Sequence, residues 1–261
     1  MGVTMWGVPP PQTTHDPLAA FSPATAGWFR SAFAEPTAAQ IGAWRSISDG
    51  EHTLVIAPTG SGKTLAAFLW ALDQLVLDQL STSAAPQLPR HRCRVLYVSP
   101  LKALAVDVDR NLRSPLAGMR HAAQRLGLPI PEITVGSRTG DTPARERRAF
   151  ARTPPDILVT TPESLFLLLT SAARESLRGV RTVIVDEVHA VAGTKRGAHL
   201  AVSLDRLDEL LTTPAQRIGL SATVRPVDEV ATFLAGGRHV NVVAPPLAKA
   251  IEITVEVPVP D

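Results

Sequence analysis

Cysteine is nearly absent from this chain: Cys93 is the single thiol in 261 residues. An internal disulfide framework is excluded, and no Cys-x-x-Cys pair exists to complete a zinc site with Cys93 and the nearby His91. A reducing, cytosolic setting fits. Long apolar runs are missing as well; residues 165–169, Leu-Phe-Leu-Leu-Leu, are far too few to span a bilayer and read as buried helix. The N-terminus has no basic region followed by an apolar stretch, so no secretion signal is visible. Trp6 stands where a myristoylation signal wants Ser or Thr. Together these absences lead us to expect a soluble cytoplasmic protein with no membrane partner.

Net charge is small too, only +2, but it is unevenly spread. Residues 81–152 hold 13 Lys or Arg against 5 Asp or Glu, whereas the remainder holds 13 against 19. A basic middle third suits a polyanionic partner. The length allows one large domain or two small ones, with ample core.

Residues 1–20, rich in Pro, Thr and Gly without periodicity, are expected to form a flexible arm. Phe21, Trp28, Phe29 and Phe33 follow at once and are expected to pin that arm to the core. A short helix is expected to start at Pro36, carrying Ile41, Trp44 and Ile47. Beyond it, apolar runs predict strands at 54–56, 95–98, 133–135, 157–160, 183–185, 218–220 and 240–243. Helical spacing predicts helices from Lys63 to about Leu80, from Pro100 through Leu112, from Pro115 to Leu126, and around 143–151, 162–172, 197–211 and 226–234. Residues 251–257 alternate like one more strand. Alternating β and α elements with near-continuously apolar strands imply an α/β fold, a mainly parallel sheet with helices on both faces.

One stretch organises the chain: Ala57-Pro58-Thr59-Gly60-Ser61-Gly62-Lys63-Thr64. It joins a short apolar run to an amphipathic segment, the strand–turn–helix context of a phosphate-binding loop. Gly60 and Gly62 let the backbone curl so that successive N–H groups point at phosphate oxygens, and the helix N-terminus adds positive potential. Lys63 would reach the β- and γ-phosphates, and the Thr64 hydroxyl would ligate Mg²⁺. Ala57 departs from the general pattern, which has glycine there. ATP and Mg²⁺ are the expected ligands.

In a parallel sheet the strand-to-helix turns share one side, where ligands bind. The 183–185 strand ends in Asp186-Glu187-Val188-His189, two adjacent carboxylates that repel unless a cation and a proton-transfer task justify them. Asp186 would hold the Mg²⁺ shell, while Glu187 would orient and deprotonate the attacking water. His189 is either a polar link to Ser221-Ala222-Thr223 or a satisfied buried histidine. Ser99-Pro100, Thr142-Pro143 and Thr161-Pro162 each put an N-cap hydroxyl and an N1 proline after a strand or its loop. Each exposes a helix N-terminus, near Lys102, Arg138, Thr139 and Gly140. A row of such anion sites suits the spaced phosphates of a single nucleic-acid strand.

These motifs, in this order, resemble the superfamily 2 helicases. Phe33-x-x-Pro36-Thr37-x-x-Gln40 resembles their adenine-recognising Q motif, and Ala57 to Thr64 their motif I, where Ala often replaces the first glycine. Ser99-Pro-Leu-Lys-Ala-Leu104, Arg138-Thr-Gly-Asp141 and Thr160-Thr-Pro-Glu-Ser164 look like the strand-tracking motifs. Asp186 to His189 is similar to motif II and Ser221 to Thr223 to motif III, both coupled to hydrolysis. The box at Asp186 with the stretch that follows it most resembles the large helicase-related (Lhr) proteins. The resemblance implies a RecA-like P-loop NTPase domain over 21–245 of an ATP-driven translocase moving 3′ to 5′ on single-stranded DNA and unwinding duplexes. It implies DNA rather than RNA as partner, a bacterial, nucleoid-associated location, and residues 246–261 as an extended segment leading to a second RecA-like domain in cis. No Gln-x-x-Gly-Arg-x-Gly-Arg arginine-finger motif of that second domain occurs here. Little hydrolysis by this chain alone is therefore expected. An RNA helicase and a non-hydrolysing nucleic-acid-binding module are the alternatives.

Overall fold

Runs such as Thr-Leu-Val-Ile and Val-Leu-Tyr-Val present apolar side chains on both faces, so they need cover on both sides. They obtain it in a seven-stranded parallel sheet ordered β3-β4-β2-β5-β6-β1-β7. The strands are β1 (Thr53–Ile56), β2 (Val95–Val98), β3 (Val135–Arg138), β4 (Ile157–Thr160), β5 (Thr182–Val185), β6 (Gln216–Ser221) and β7 (Asn241–Val243). This computed structural model describes residues 16–81, 91–100, 102–222 and 224–246, without the side chains of 102–107, 109 and 110. The expected strand at 251–257 and most of the expected arm lie outside the described residues.

On one face, α1 (Pro23–Ala32), α2 (Ala38–Ser48), α3 (Lys63–Ser81) and α4 (Lys102–Arg125) enclose a core built on Phe29, Trp44, Leu72, Tyr97 and Met119. On the other, α6 (Pro162–Leu169), α7 (Lys195–Leu210) and α8 (Val227–Ala235) enclose one built on Leu96, Leu165, Val183, Leu204 and Leu234. The remaining helix, α5 (Ala144–Arg152), follows the edge strand β3.

Several expectations shift. α1 was not expected; Ser22 caps it and Pro23 opens it, and Asp73 of α3 accepts bonds from the Ser22 hydroxyl at 2.5 Å and the Ser22 N–H at 3.1 Å. Residues 16–20, expected in the arm, form a turn in which Leu18 is only 4% exposed and Asp16 pairs with Arg30 at 2.5 Å. α2 starts after Thr37 rather than at Pro36, because Thr37 and Gln40 form a capping box. The two helices expected around Pro115 are one continuous α4. Pro115 forfeits a backbone bond there, but Leu112, Met119 and Ala122 on the same helix are all buried, and that packing outweighs the local preference to stop. β3 begins at Val135, paired with Ile157, because Thr134 just before it is held by the Asp156 carboxylate through N–H and hydroxyl, each at 2.7 Å. α6 ends at Leu169, and 172–177 is a 3₁₀ turn.

Candidate nucleotide and nucleic-acid rim

β1 and β5 flank β6, so at about 4.8 Å per strand their turns stand about 10 Å apart on one rim. The turn after β1 carries Thr59 to Thr64; the turn after β5 carries Asp186 and Glu187; Ser221 and Ala222 lie between them. Lys63 and the two carboxylates therefore share one edge of the sheet.

The β1 turn is held open from below. Gly60 and Gly62 have φ of 82° and 80°, a left-handed region that glycine reaches without penalty. A Cβ on Gly62 would also lie 2.5 Å from Gln40 Nε2. Thr37 Oγ1 donates to the Ser61 carbonyl at 2.8 Å, Gln40 Nε2 to the Gly62 carbonyl at 3.4 Å, and Trp44 Nε1 to the Ala66 carbonyl at 3.1 Å. Gln40 is 4% exposed and its Oε1 accepts the Thr37 N–H at 2.9 Å. Its amide thus supports the loop.

The loop fits a triphosphate. The Ser61 hydroxyl is buried without a partner among the described residues. Lys63 is 6% exposed, and the one bond of its ammonium among the described residues is a long 3.4 Å contact with the Pro58 carbonyl. Both lack what phosphate oxygens would supply. Thr64 and Asp186 offer two oxygen donors, in keeping with Mg²⁺, which takes few protein ligands and completes its shell with phosphates and water.

Asp186, 7% exposed, is fixed at both oxygens. Oδ1 accepts the Glu187 N–H at 2.9 Å, and Oδ2 accepts the Tyr97 hydroxyl. Burial, reinforced by the Asp186 charge, pushes the Tyr97 phenol well above its ordinary value, so it remains a proton donor. The Tyr97 ring stacks on Phe68 at 4.9 Å, one helical turn beyond Thr64. Glu187 adopts φ 46° and ψ 45°, the one positive φ at a non-glycine residue among those described. His189 Nδ1 lies 3.2 Å from the Ala222 N–H, with Ser221 Oγ at 3.2 Å and Glu187 Oε2 at 3.4 Å from the same nitrogen. His189 is the link between the two turns. Thr223 lies outside the described residues.

The other half of the rim belongs to β3, β4 and β2, adjacent in that order. Their turns carry Arg138–Thr139–Gly140, Thr161–Pro162 and Pro100, a row about 10 Å long. Thr161 caps α6 as expected, accepting the Ser164 N–H at 3.4 Å. Thr142 does not cap α5: Pro143 holds that position, and Thr142 Oγ1 instead accepts the Thr139 N–H at 2.9 Å. α4 begins at Lys102. Arg138 leans over Phe150 at 5.5 Å with a buried nitrogen lacking a partner among the described residues. Arg196 bridges the row, bonding Glu163 at 2.6 Å and the Pro100 carbonyl at 2.9 Å. The Tyr97, Arg196 and Thr37 contacts were not foreseen; Thr37, inside the Q-motif spacing, and Arg196, inside the stretch that follows the Asp186 box, carried a sequence signal.

Among the described residues no helix is long and apolar enough to cross a membrane. Residues 37–230 match the DEAD/DEAH box helicase family. The chain is 65% identical over 246 residues to an Lhr helicase/probable uracil glycosylase of Mycolicibacterium smegmatis, covering 94% of this chain and 16% of that protein. It is 59% identical over 239 residues to the Lhr helicase/uracil glycosylase of Escherichia coli, covering 92% of this chain and again 16% of that protein. The fold is similar to that of Mycobacterium smegmatis helicase Lhr solved with single-stranded DNA and AMP-PNP, with a TM-score of 0.84 over 95% of this chain and 30% of that one. The chain thus spans a small part of the length of these relatives.

Proposed function

The chain belongs to the DEAD/DEAH box helicase family, and from that premise we propose that it is the ATP–Mg²⁺-binding first motor domain of a 3′-to-5′ DNA helicase. The observation that carries this reading is the shared rim: Lys63 and the Asp186–Glu187 pair flank the Ser221–Ala222 turn, and His189 of the Asp186 turn bonds to Ser221 and Ala222. Gly60, Ser61, Gly62 and Lys63 bind the phosphates. Thr64 and Asp186 hold the metal, with Tyr97 orienting the Asp186 carboxylate. Mg²⁺ bound there would offset charge on the transferring phosphoryl oxygens. Glu187 positions a water and takes its proton, and His189 passes the state of that site to the β6 turn. Pro100, Arg138, Gly140 and Thr161 line the track of the strand, with Lys102 at its start. A second RecA-like domain in cis supplies the arginines facing the γ-phosphate, so this chain alone binds nucleotide but turns it over slowly.

In the longer protein, Glu187→Gln should abolish DNA-stimulated hydrolysis while ATP binding persists, and unwinding should require a 3′ tail. Normal turnover in that variant would refute the motor reading. Unwinding from a 5′ tail would refute the polarity, and RNA competing better than DNA would reassign the substrate.

A further inference from the structure

α5 is a helix with almost no core. None of its nine residues is buried, and a hollow of about 550 Å³ lies between it and β3. Phe150 anchors it, half-buried against the core on that side and covered by the Arg138 guanidinium. Arg147 ties it to the rim, donating to the Thr142 and Gly140 carbonyls at 2.8 Å each. Its other arginines do neither. At 3.6 residues per turn, Arg145, Arg148 and Arg152 fall within about 60° of one another and opposite Phe150, and Arg152 also borders the hollow. All three are exposed, and none has a hydrogen bond or ion pair among the described residues. Like charges at this spacing repel, and a helix so placed, with so little burial to hold it, calls for a counter-charge.

We propose, building on the function above, that the Arg145–Arg148–Arg152 ridge binds the phosphate backbone of the duplex adjoining the single strand on the rim. Charge complementarity and continuity favour this occupant: Arg147 joins the helix that carries the ridge to the Gly140 turn of the strand track. Direction favours a duplex over a single strand. From Arg145 beside the rim to Arg152 beside the start of β4, the ridge descends about 10 Å at 1.5 Å per residue, away from the line of the β3, β4 and β2 turns. A strand lying on those turns meets only the upper end. A duplex, whose two backbones stand about 12 Å apart across the major groove, can engage its whole length.

The test uses the 261-residue chain, with fluorescence anisotropy on a forked DNA carrying a 3′ tail and on the bare tail. The variant combines Arg145→Gln, Arg148→Gln and Arg152→Gln; glutamine keeps the helix nearly as well as arginine. Forked-DNA affinity should fall about tenfold or more at low salt, and the slope of log affinity against log salt should flatten by about 2 to 3. Affinities for the bare tail and for AMP-PNP–Mg²⁺ should stay within about twofold, and lysine at all three positions should restore the slope. Unchanged forked-DNA binding overturns the ridge as a binding surface, and equal losses on fork and tail overturn its assignment to the duplex. A wild-type chain that binds neither DNA nor AMP-PNP removes the proposed function itself.

Discussion

At the scale of single residues, Glu187 shows how the site is built. Its left-handed backbone costs about 1–2 kcal/mol for a residue with an ordinary side chain. The conformation is held by the Asp186 carboxylate on its N–H and by the Ala190 N–H on its carbonyl at 2.8 Å. Asparagine tolerates this region better. Glu187→Asn should therefore raise the thermal midpoint by a few degrees, while the longer protein loses hydrolysis; a lower midpoint would show that the backbone there is not strained. The identity of this residue was legible in the sequence, because adjacent carboxylates at the mouth of a buried strand are costly without a purpose. Its conformation was not, since nothing in the residue type favours a positive φ. Tyr97 was illegible for a similar reason: inside an apolar strand, a tyrosine reads as core until its hydroxyl is seen on Asp186.

At the scale of elements, α1 and α2 are supports for the nucleotide loop and for α4. Gly118 of α4 lets α1 approach, for a Cβ there would stand 1.9 Å from Trp28 Nε1. In an unobstructed helix Gly118→Ala would stabilise by roughly 0.5–1 kcal/mol. Displacing the indole costs more, typically about 1–3 kcal/mol for overpacking, so the substitution should lower the urea midpoint; a raised midpoint would mean that Trp28 moves aside freely. The long α3 and the β1 loop were readable from periodicity and glycine spacing. The join of α4 across Pro115 was not, because local sequence stops a helix at proline and only tertiary packing carries it through. α1 was overlooked although Ser22-Pro23 is a start signal, since its aromatics read as anchors for a loose arm.

At the scale of the whole molecule, the rim opposite the site is closed by charge. Arg217, buried in β6, bonds Asp208 at 2.7 Å, Asp205 at 3.1 Å and the Leu234 carbonyl at 3.0 Å. Its backbone N–H donates to His52 Nδ1 at 3.0 Å. Burial holds the His52 imidazole below its ordinary range, helped by the Arg238 and Arg217 charges. The folded chain therefore resists protonation that the unfolded chain accepts near pH 6.5. Stability should decline as pH falls below about 6.5 and this part of the loss should level off below the folded value. His52→Asn, which keeps an acceptor without a titration, should show a smaller drop in urea midpoint between about pH 7.5 and 5.5; an equal drop would place the effect elsewhere. The parallel α/β architecture was legible because its central strands are apolar on both faces. The edges were less so: β3, Val-Gly-Ser-Arg, lacks that signature, and its register depends on Asp156 gripping Thr134.

One nucleotide–metal site shared by two turns underlies the proposed function, and titration calorimetry of AMP-PNP into the chain tests it most directly. Wild type should bind in EDTA and bind more tightly with Mg²⁺. Lys63→Ala should lose about tenfold or more in both conditions, whereas Asp186→Asn should keep the EDTA affinity and lose the gain from Mg²⁺. Wild-type behaviour in both variants, metal gain included, would contradict the account.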